Sequence, residues 1–517
     1  MVLWLILPTV VCCQPLFAQT VEGPVAPIET LGPGVVNVMP QRLGVADVIA
    51  SVYASYPEIV QARQRRTQAS GDWLAAQGAF DTKLNAHTLS EPTGYYENYR
   101  HGIGLARQNW WGGYVSAGYR IGRGDFQPWY KERQTDEGGE FKLAFVQPLL
   151  QGRAIDANRV AVFQASLQRS AVEPEIQQAL LEISREATAA YWDWVAAGAM
   201  VQAQQELLEL ARERGRKFEA GFQAGKFAEI DVLLNKQLIA ERTALTIEAQ
   251  RKFLQTGFKL SLYLRGDGGN PLVPPADWLP DRFPRIQPLD DNDFATDLAA
   301  ALSRRPEIRL LELQIQGIQW DRRLAYNQQQ PQVDFVAEAS QDMGFRATSS
   351  DDKDQFELVI GLRGELPLQR RKARGKIQST SSKINQLNEK LRLSRDKIAT
   401  NLQITYSDLR LSAQLVDQAE TALRLALETL QRYRFAYEQG KIDLIYLNLL
   451  ETKANEAELK LVKTQQAWFE NLSRMQTVLG LDPLDQAMLL SELPPSERIG
   501  PGHLPEPQVP NDPPAVE

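Results

Sequence analysis

Residues 402–450 read LQITYSDLRLSAQLVDQAETALRLALETLQRYRFAYEQGKIDLIYLNLL. Leu402, Leu409, Val416, Leu423 and Leu430 recur every seven residues, with no proline between them. A seven-residue apolar repeat holds one stripe of a helix against its neighbours, as in a coiled coil. The run then meets Gly440, which suits a backbone leaving one helix for another, and a second apolar run follows. The pattern predicts a helix over 372–438, roughly 100 Å long at 1.5 Å per residue, then a turn and a returning helix.

The same arrangement occurs earlier in the chain. Ala187, Trp194, Val201 and Leu208 keep the seven-residue spacing. Ala224-Gly225-Lys226 leads into Ile230-Asp231-Val232-Leu233, as Gln439-Gly440-Lys441 leads into Leu444-Ile445-Tyr446-Leu447. Other landmarks repeat in the same order. Tyr56-Pro57-Glu58-Ile59 matches Arg305-Pro306-Glu307-Ile308, and Tyr191-Trp192-Asp193-Trp194 matches Tyr406-Ser407-Asp408-Leu409. Phe141-Lys142-Leu143 with Gln147-Pro148-Leu149 matches Phe356-Glu357-Leu358 with Leu366-Pro367-Leu368. Repeats of this kind decide an architecture. The chain reads as a tandem duplication, 46–265 and 291–483, each copy running helix, strands, very long helix, glycine turn, returning helix. A Pro/Gly-rich segment (19–45) precedes them, a Pro-rich linker (266–290) joins them, and 484–517 reads as a disordered tail. Pro174 is expected to kink or break the first long helix near its start.

Three segments alternate in the manner of strands. Phe356, Leu358, Ile360 and Leu362 interleave with Glu357, Gly361 and Arg363. Val333, Phe335, Ala337 and Ala339 interleave with Asp334, Glu338 and Ser340, and Val115, Ala117, Tyr119 and Ile121 with Ser116, Gly118 and Arg120. An apolar face backed by a charged one fits a lipid-facing barrel around water. It fits a soluble sheet with one buried face equally well. Tyr95, Tyr96, Trp110, Trp111 and Tyr114 could supply an interfacial aromatic girdle. If the strands lie in lipid, two groups per chain cannot close a barrel alone, so the chain must oligomerise.

Composition narrows the classes. The 517 residues carry a net charge of -7, which argues against nucleic acid as the partner. Residues 1–18 read as an export signal, although no Lys or Arg precedes the apolar run 2–11. Both cysteines, Cys12 and Cys13, fall inside it, so the mature chain is expected to lack thiols. A lipid anchor on Cys13 stays open. Beyond the signal, no apolar run approaches the ~20 residues of a spanning helix. The three histidines, His87, His101 and His503, are scattered without metal-ligand spacing. No phosphate loop or serine elbow appears. Neither an enzyme nor a cofactor is expected.

Over 46–483, the duplicated landmarks and glycine turns resemble the TolC-like outer-membrane efflux proteins. The resemblance implies an α+β membrane protein, a tandem-repeat protomer of a homotrimer. Each copy would give two strands to a shared twelve-stranded transmembrane β-barrel in outer-membrane lipid, and the helices would form a long periplasmic α-helical barrel. A periplasmic adaptor and an inner-membrane pump would dock on its tip, and the chain would be the passive exit duct for small molecules. The segment 99–139 departs from that pattern, as an added hairpin or as longer strands and loops. By the same resemblance, Gly225, Lys226, Gly440 and Lys441 mark the periplasmic tip. Asp231 and Tyr437 match the family's closing network, while the position of its acidic ring holds Tyr446, followed by Leu449, with Asp443 close by. Asp231 near a helix start also reads as a dipole-favoured carboxylate, and Tyr437 as packing. Two other functions stay open: a protein or peptide secretion duct, and a soluble periplasmic coiled-coil scaffold.

Overall fold

The computed structural model describes residues 42–126, 134–287, 294–345, 355–439, 441 and 443–496. The expected signal with Cys12 and Cys13, nearly all of 19–45, Gly440 and His503 lie outside the described residues. The chain divides into Met1–Arg42 and Leu43–Glu517, and the second unit is described below.

Two helices open it, α1 (Val45–Ser55) and α2 (Pro57–Gln77). Four strands follow: β1 (Lys83–Glu91), β2 (Asn98–Gln108), β3 (Tyr114–Gly124) and β4 (Glu140–Pro148). Then come the 67-residue helix α3 (Ala157–Gln223) and its return α4 (Glu229–Leu260). The order recurs with α5 (Phe294–Arg304), α6 (Pro306–Asn327), β5 (Gln332–Asp342) and β6 (Glu357–Glu365). The 68-residue α7 (Arg371–Glu438), α8 (Leu444–Leu479) and a short α9 (Pro483–Ser491) complete it. Pro57 and Pro306 each begin a helix, after extended Tyr56 and Arg305. A proline at that position loses no intrahelical bond and forbids helix in the residue before it.

The long helices lie side by side. α3 packs against α4 and α8, and α7 packs against α8, giving the order α4, α3, α8, α7. All five members of the seven-residue stripe on α7, Leu402 to Leu430, are buried. On α3, Ala187, Trp194 and Leu208 are buried too. Tyr191 donates to the Leu43 carbonyl at 2.9 Å, and burial holds its hydroxyl above the ordinary tyrosine range. Its counterpart Tyr406 donates to Asp297 on α5. Each tyrosine thus ties its long helix to the chain at the start of its own half.

Three expectations need correction. First, the sheet is one antiparallel array of six strands in chain order, not two strands per copy. The added hairpin β2–β3 falls within 99–139 almost entirely, with β2 pairing to β1 over Asn98–Ala106 and β3 pairing to β4 over Tyr114–Arg120. Second, α3 runs through Pro174 without a break. Arg66–Glu173 (2.6 Å) and Arg65–Glu175 (3.4 Å) clamp the flanking residues to α2, and Val172 and Ile176 pack with Ala62 and Ala69. Those tertiary contacts hold a helix that propensity alone would interrupt. Third, the region read as tail begins with α9, capped by Asp482, with Ala487 and Leu490 buried and α1 packed against it. The linker joins the core as well: Phe283 stacks on Trp192 (5.6 Å) and Phe469 (5.9 Å), one from each half.

Candidate functional site: the sheet wall and the helical tip

Strands β1, β4 and β6 have 9 residues and β2, β3 and β5 have 11. That is the length that crosses a bilayer's hydrocarbon when tilted. Their registers sort the side chains into two faces. On one, Leu84 lies opposite Leu105, which continues to Ala117, Leu143, Ala339 and Leu358. Ile103, Tyr119, Phe141, Phe335, Ile360 and Leu362 share that face. It is open: Leu105, Leu143 and Leu358 are 51%, 52% and 55% exposed. An apolar surface this continuous marks an interaction with lipid or another chain.

The other face is polar. It carries Arg100–Glu91 at 2.6 Å, Lys142–Glu338 at 2.8 Å and an Arg120–Glu140 pair. It also carries Gly102, Gly104, Gly118 and Gly122, where a side chain at Gly102 would collide with the His87 ring. The aromatics divide between the two rims. Trp110, Trp111 and Tyr114 sit at the helix-side turn, where Trp110 meets Phe80 and Phe163. Tyr95 and Tyr96 sit at the distal β1–β2 turn, edge to face at 4.8 Å. An apolar band with aromatic turns at its two ends has the layering that a bilayer-facing wall requires. Among the described residues, no helix is long and apolar enough to cross a membrane. None of them form a group of three or more His, Asp or Glu placed to hold a metal. His87 and His101 lie on opposite faces of the sheet.

At the far end of the helices, Gly225 takes φ +73° just past α3. Its N–H bonds to the Phe222 carbonyl at 2.9 Å, and Lys226 bonds to Gly221 at 2.8 Å. These two bonds satisfy carbonyls that a helix end leaves unpaired. Lys441 repeats the second bond, to Ala436 at 3.0 Å, past α7. The returning helices start in complementary ways. Asp443 caps α8, accepting from the Tyr446 N–H at 2.8 Å. Asp231 reaches back from the first turn of α4 to the Ala228 N–H at 3.2 Å. Both carboxylates therefore meet unpaired helix N–H groups.

Tyr437 packs beside Phe218, Val232 and Leu444, which joins all four long helices. Burial raises its pKa, Arg214 opposes that, and the Asp231 charge adds to it. Asp231 and Tyr437 are thus close enough to feel one another. Tyr446 and Leu449 are exposed, and a hydrogen bond with Tyr433 raises the Tyr446 pKa. Lys226 and Lys441 are exposed as well.

Sequence reading missed the most concentrated charge near the tip. Glu451 of α8 is 2% exposed. Arg214 of α3 pairs with it and also reaches Asn448. Arg242 of α4 bonds it at 2.9 Å, and Arg434 of α7 stands 3.6 Å away. Burial lowers the Arg242 pKa, against the pull of Glu451. One carboxylate thus gathers an arginine from each of the other three long helices. The available signal was a lone Glu on the apolar stripe Leu444, Leu447, Glu451, Ala454.

No family model and no curated protein sequence matches the chain. Solved structures do match its fold. The outer membrane protein VceC of Vibrio cholerae superposes with a TM-score of 0.59 at 16% identity, covering 84% of this chain and 96% of VceC. The MtrE outer membrane channel of Neisseria gonorrhoeae, in its open state, gives 0.60 at 14%, covering 85% and 89%. The CmeC outer membrane channel of Campylobacter jejuni gives 0.58 at 13%, covering 87% and 89%. A helix-rich chain with a single open antiparallel sheet, superposing on these channels over most of its length, has the fold of the TolC-like outer-membrane factors.

Proposed function

We propose that three copies of this chain form a passive exit duct, with the sheet in the outer membrane and the long helices in the periplasm. The observation that carries this reading is the unfinished sheet. Its two edge strands are of membrane-spanning length, its apolar face is open, and its polar face carries ion pairs. An open edge in lipid would leave backbone groups unpaired, so further copies must complete the wall. The helical layer is unfinished at the matching places. Leu233, Ile247 and Leu254 on α4, and Ile404, Leu411 and Leu425 on α7, form exposed stripes spaced by seven or fourteen residues on its two outer helices. Such stripes bury one another when copies meet side by side.

On this reading the duct does no chemistry. An inner-membrane pump, coupled through a periplasmic adaptor at the tip, supplies the energy and the small-molecule cargo. The tip turns are the place for a gate, held by Asp231 and Tyr437 with Asp443 and Tyr446 beside them. The test is extraction and conductance. The protein should leave the membrane fraction only with detergent, run as a trimer, and open ion-conducting pores in planar bilayers. A stable monomer that stays soluble without detergent would overturn the reading in favour of a scaffold.

A further inference from the structure

We propose that three copies close a barrel of 18 strands, six from each, with Lys83 of one copy opposite Glu365 of the next. The inference rests on the trimeric duct proposed above and goes beyond it in strand number, register and width.

The edges allow it. β1 runs away from the helices and β6 runs back toward them, so β6 of one copy meets β1 of the next antiparallel. Their faces limit the register. Leu84 and Ala86 share the apolar face with Leu358, Ile360 and Leu362, so even-numbered residues must oppose even-numbered ones. A one-residue slip would turn the whole strand inside out. The permitted registers therefore step by two.

One of them pairs all 9 residues of each edge. It sets Lys83 against Glu365, Asn85 against Arg363, His87 against Gly361 and Leu89 against Val359. Opposite charges directly across a strand pair are favourable. Among the described residues neither Lys83 nor Glu365 has an ion-pair partner within its own chain. The like-charge pair in this register, Glu91 with Glu357, is relieved at Glu91 by Arg100 and Asn98. A step one way sets Lys83 against Arg363. A step the other way leaves Lys83 beyond the end of β6.

Closure geometry supplies a second criterion. The row that starts at Leu84, second in β1, ends at Leu358, eighth from the helix-side end of β6. In the flush register Leu358 meets Ser90, the eighth residue of the next β1. Each copy thus climbs from residue 84 to residue 90, and three copies climb roughly 18 residues around the ring. With ~3.4 Å per residue and ~4.8 Å between strands, the strands tilt by about 35°. That is within the tilt of membrane barrels. The register with Lys83 opposite Arg363 would tilt by only about 25°.

The backbone diameter is then about 34 Å, against about 23 Å for twelve strands at the same tilt. The added hairpin contributes its glycines, Gly102, Gly104, Gly118 and Gly122, to the polar inner face. It widens the bore, where Arg100 and Arg120 stand beside these glycines.

The experiment is an electron cryomicroscopy map of the detergent-extracted protein, joined to disulfide trapping in a chain whose Cys12 and Cys13 are replaced by alanine. The map should count 18 strands. Asn85→Cys with Arg363→Cys should give a covalent trimer with a short bis-methanethiosulfonate cross-linker, which releases a sulfinate as each disulfide forms, and Asn85→Cys with Gly361→Cys should give several-fold less. A trimeric pore with twelve strands, or stronger trapping by the second pair, would overturn this inference and leave the duct standing. Absence of a trimer would overturn both.

Discussion

Tyr191 and Tyr406 hold matching places on α3 and α7 and make matching bonds to the start of their own halves. The residues after them differ. Trp192 is buried and stacks on Phe469 at 4.2 Å, while Ser407 is exposed. The tips differ in the same manner. The second half caps its returning helix with Asp443, and the first starts from Ala228 and uses Asp231 a turn later. The sheet differs most, with four strands from the first half and two from the second. The comparison teaches that the backbone scheme is shared while its fastenings are distributed. What one half lacks, the other supplies at a shared contact.

The strongest way to break that comparison is Glu451→Gln, because the second half holds this carboxylate for arginines of both. Removing it leaves buried guanidinium groups uncompensated, at a cost of about 3–5 kcal/mol. Urea unfolding of the detergent-extracted protein should show the loss, and a change under about 1 kcal/mol would mean the four helices do not share this hub. Trp192→Ala should cost a similar ~3–5 kcal/mol through its cavity. Its counterpart Ser407→Ala should stay within about 0.5 kcal/mol. Equal effects in the same thermal melts would show that the halves are fastened alike.

Asp443→Ala should cost about 1 kcal/mol, the worth of an N-cap, and Asp231→Ala about 0.3–1 kcal/mol. If Asp231→Ala proves the costlier in thermal melts, the two starts have been ranked the wrong way round. The smallest free energies bear on the gate. Polar links of ~1 kcal/mol each shift a two-state tip by about fivefold. Asp231→Ala with Tyr437→Phe should therefore raise single-channel conductance, and Leu358→Ala, on the sheet, should leave it unchanged. The raised Tyr437 pKa means its neutral form is favoured in the folded tip. Its contribution is complete below the ordinary tyrosine pKa and lost as pH rises through the higher folded value. Alkaline solution should therefore loosen the tip, and Tyr437→Phe should blunt that response. A double variant that conducts like the parent while remaining trimeric would remove the gate from these residues.

The long helices were legible because a seven-residue stripe is written in consecutive turns, as in Leu402 to Leu430. The glycine turns were legible because Gly225 needs positive φ, which few residues adopt. The hairpin β2–β3 stayed open to other readings. Gly102, Gly104, Gly118 and Gly122 thin the polar half of its alternation, leaving Arg100, Ser116 and Arg120 to carry it. Pro174 misled because helix propensity is local, while the clamps at Arg65 and Arg66 come from α2. Glu451 was hidden for the opposite reason. One carboxylate on an apolar stripe looks like an exception until three other helices bring it arginines.

The Trp192, Phe283 and Phe469 stack bears on the order in which the chain can fold. The first half holds one plate of the stack, the linker a second beside both others, and α8 the last to be made. About 280 residues separate the first plate from the last, so a chain emerging N-terminus first exposes Trp192 for tens of seconds at ordinary synthesis rates. The first half cannot finish its own core meanwhile. A truncation before Phe469 should therefore yield a sticky, chaperone-bound fragment rather than a small folded domain.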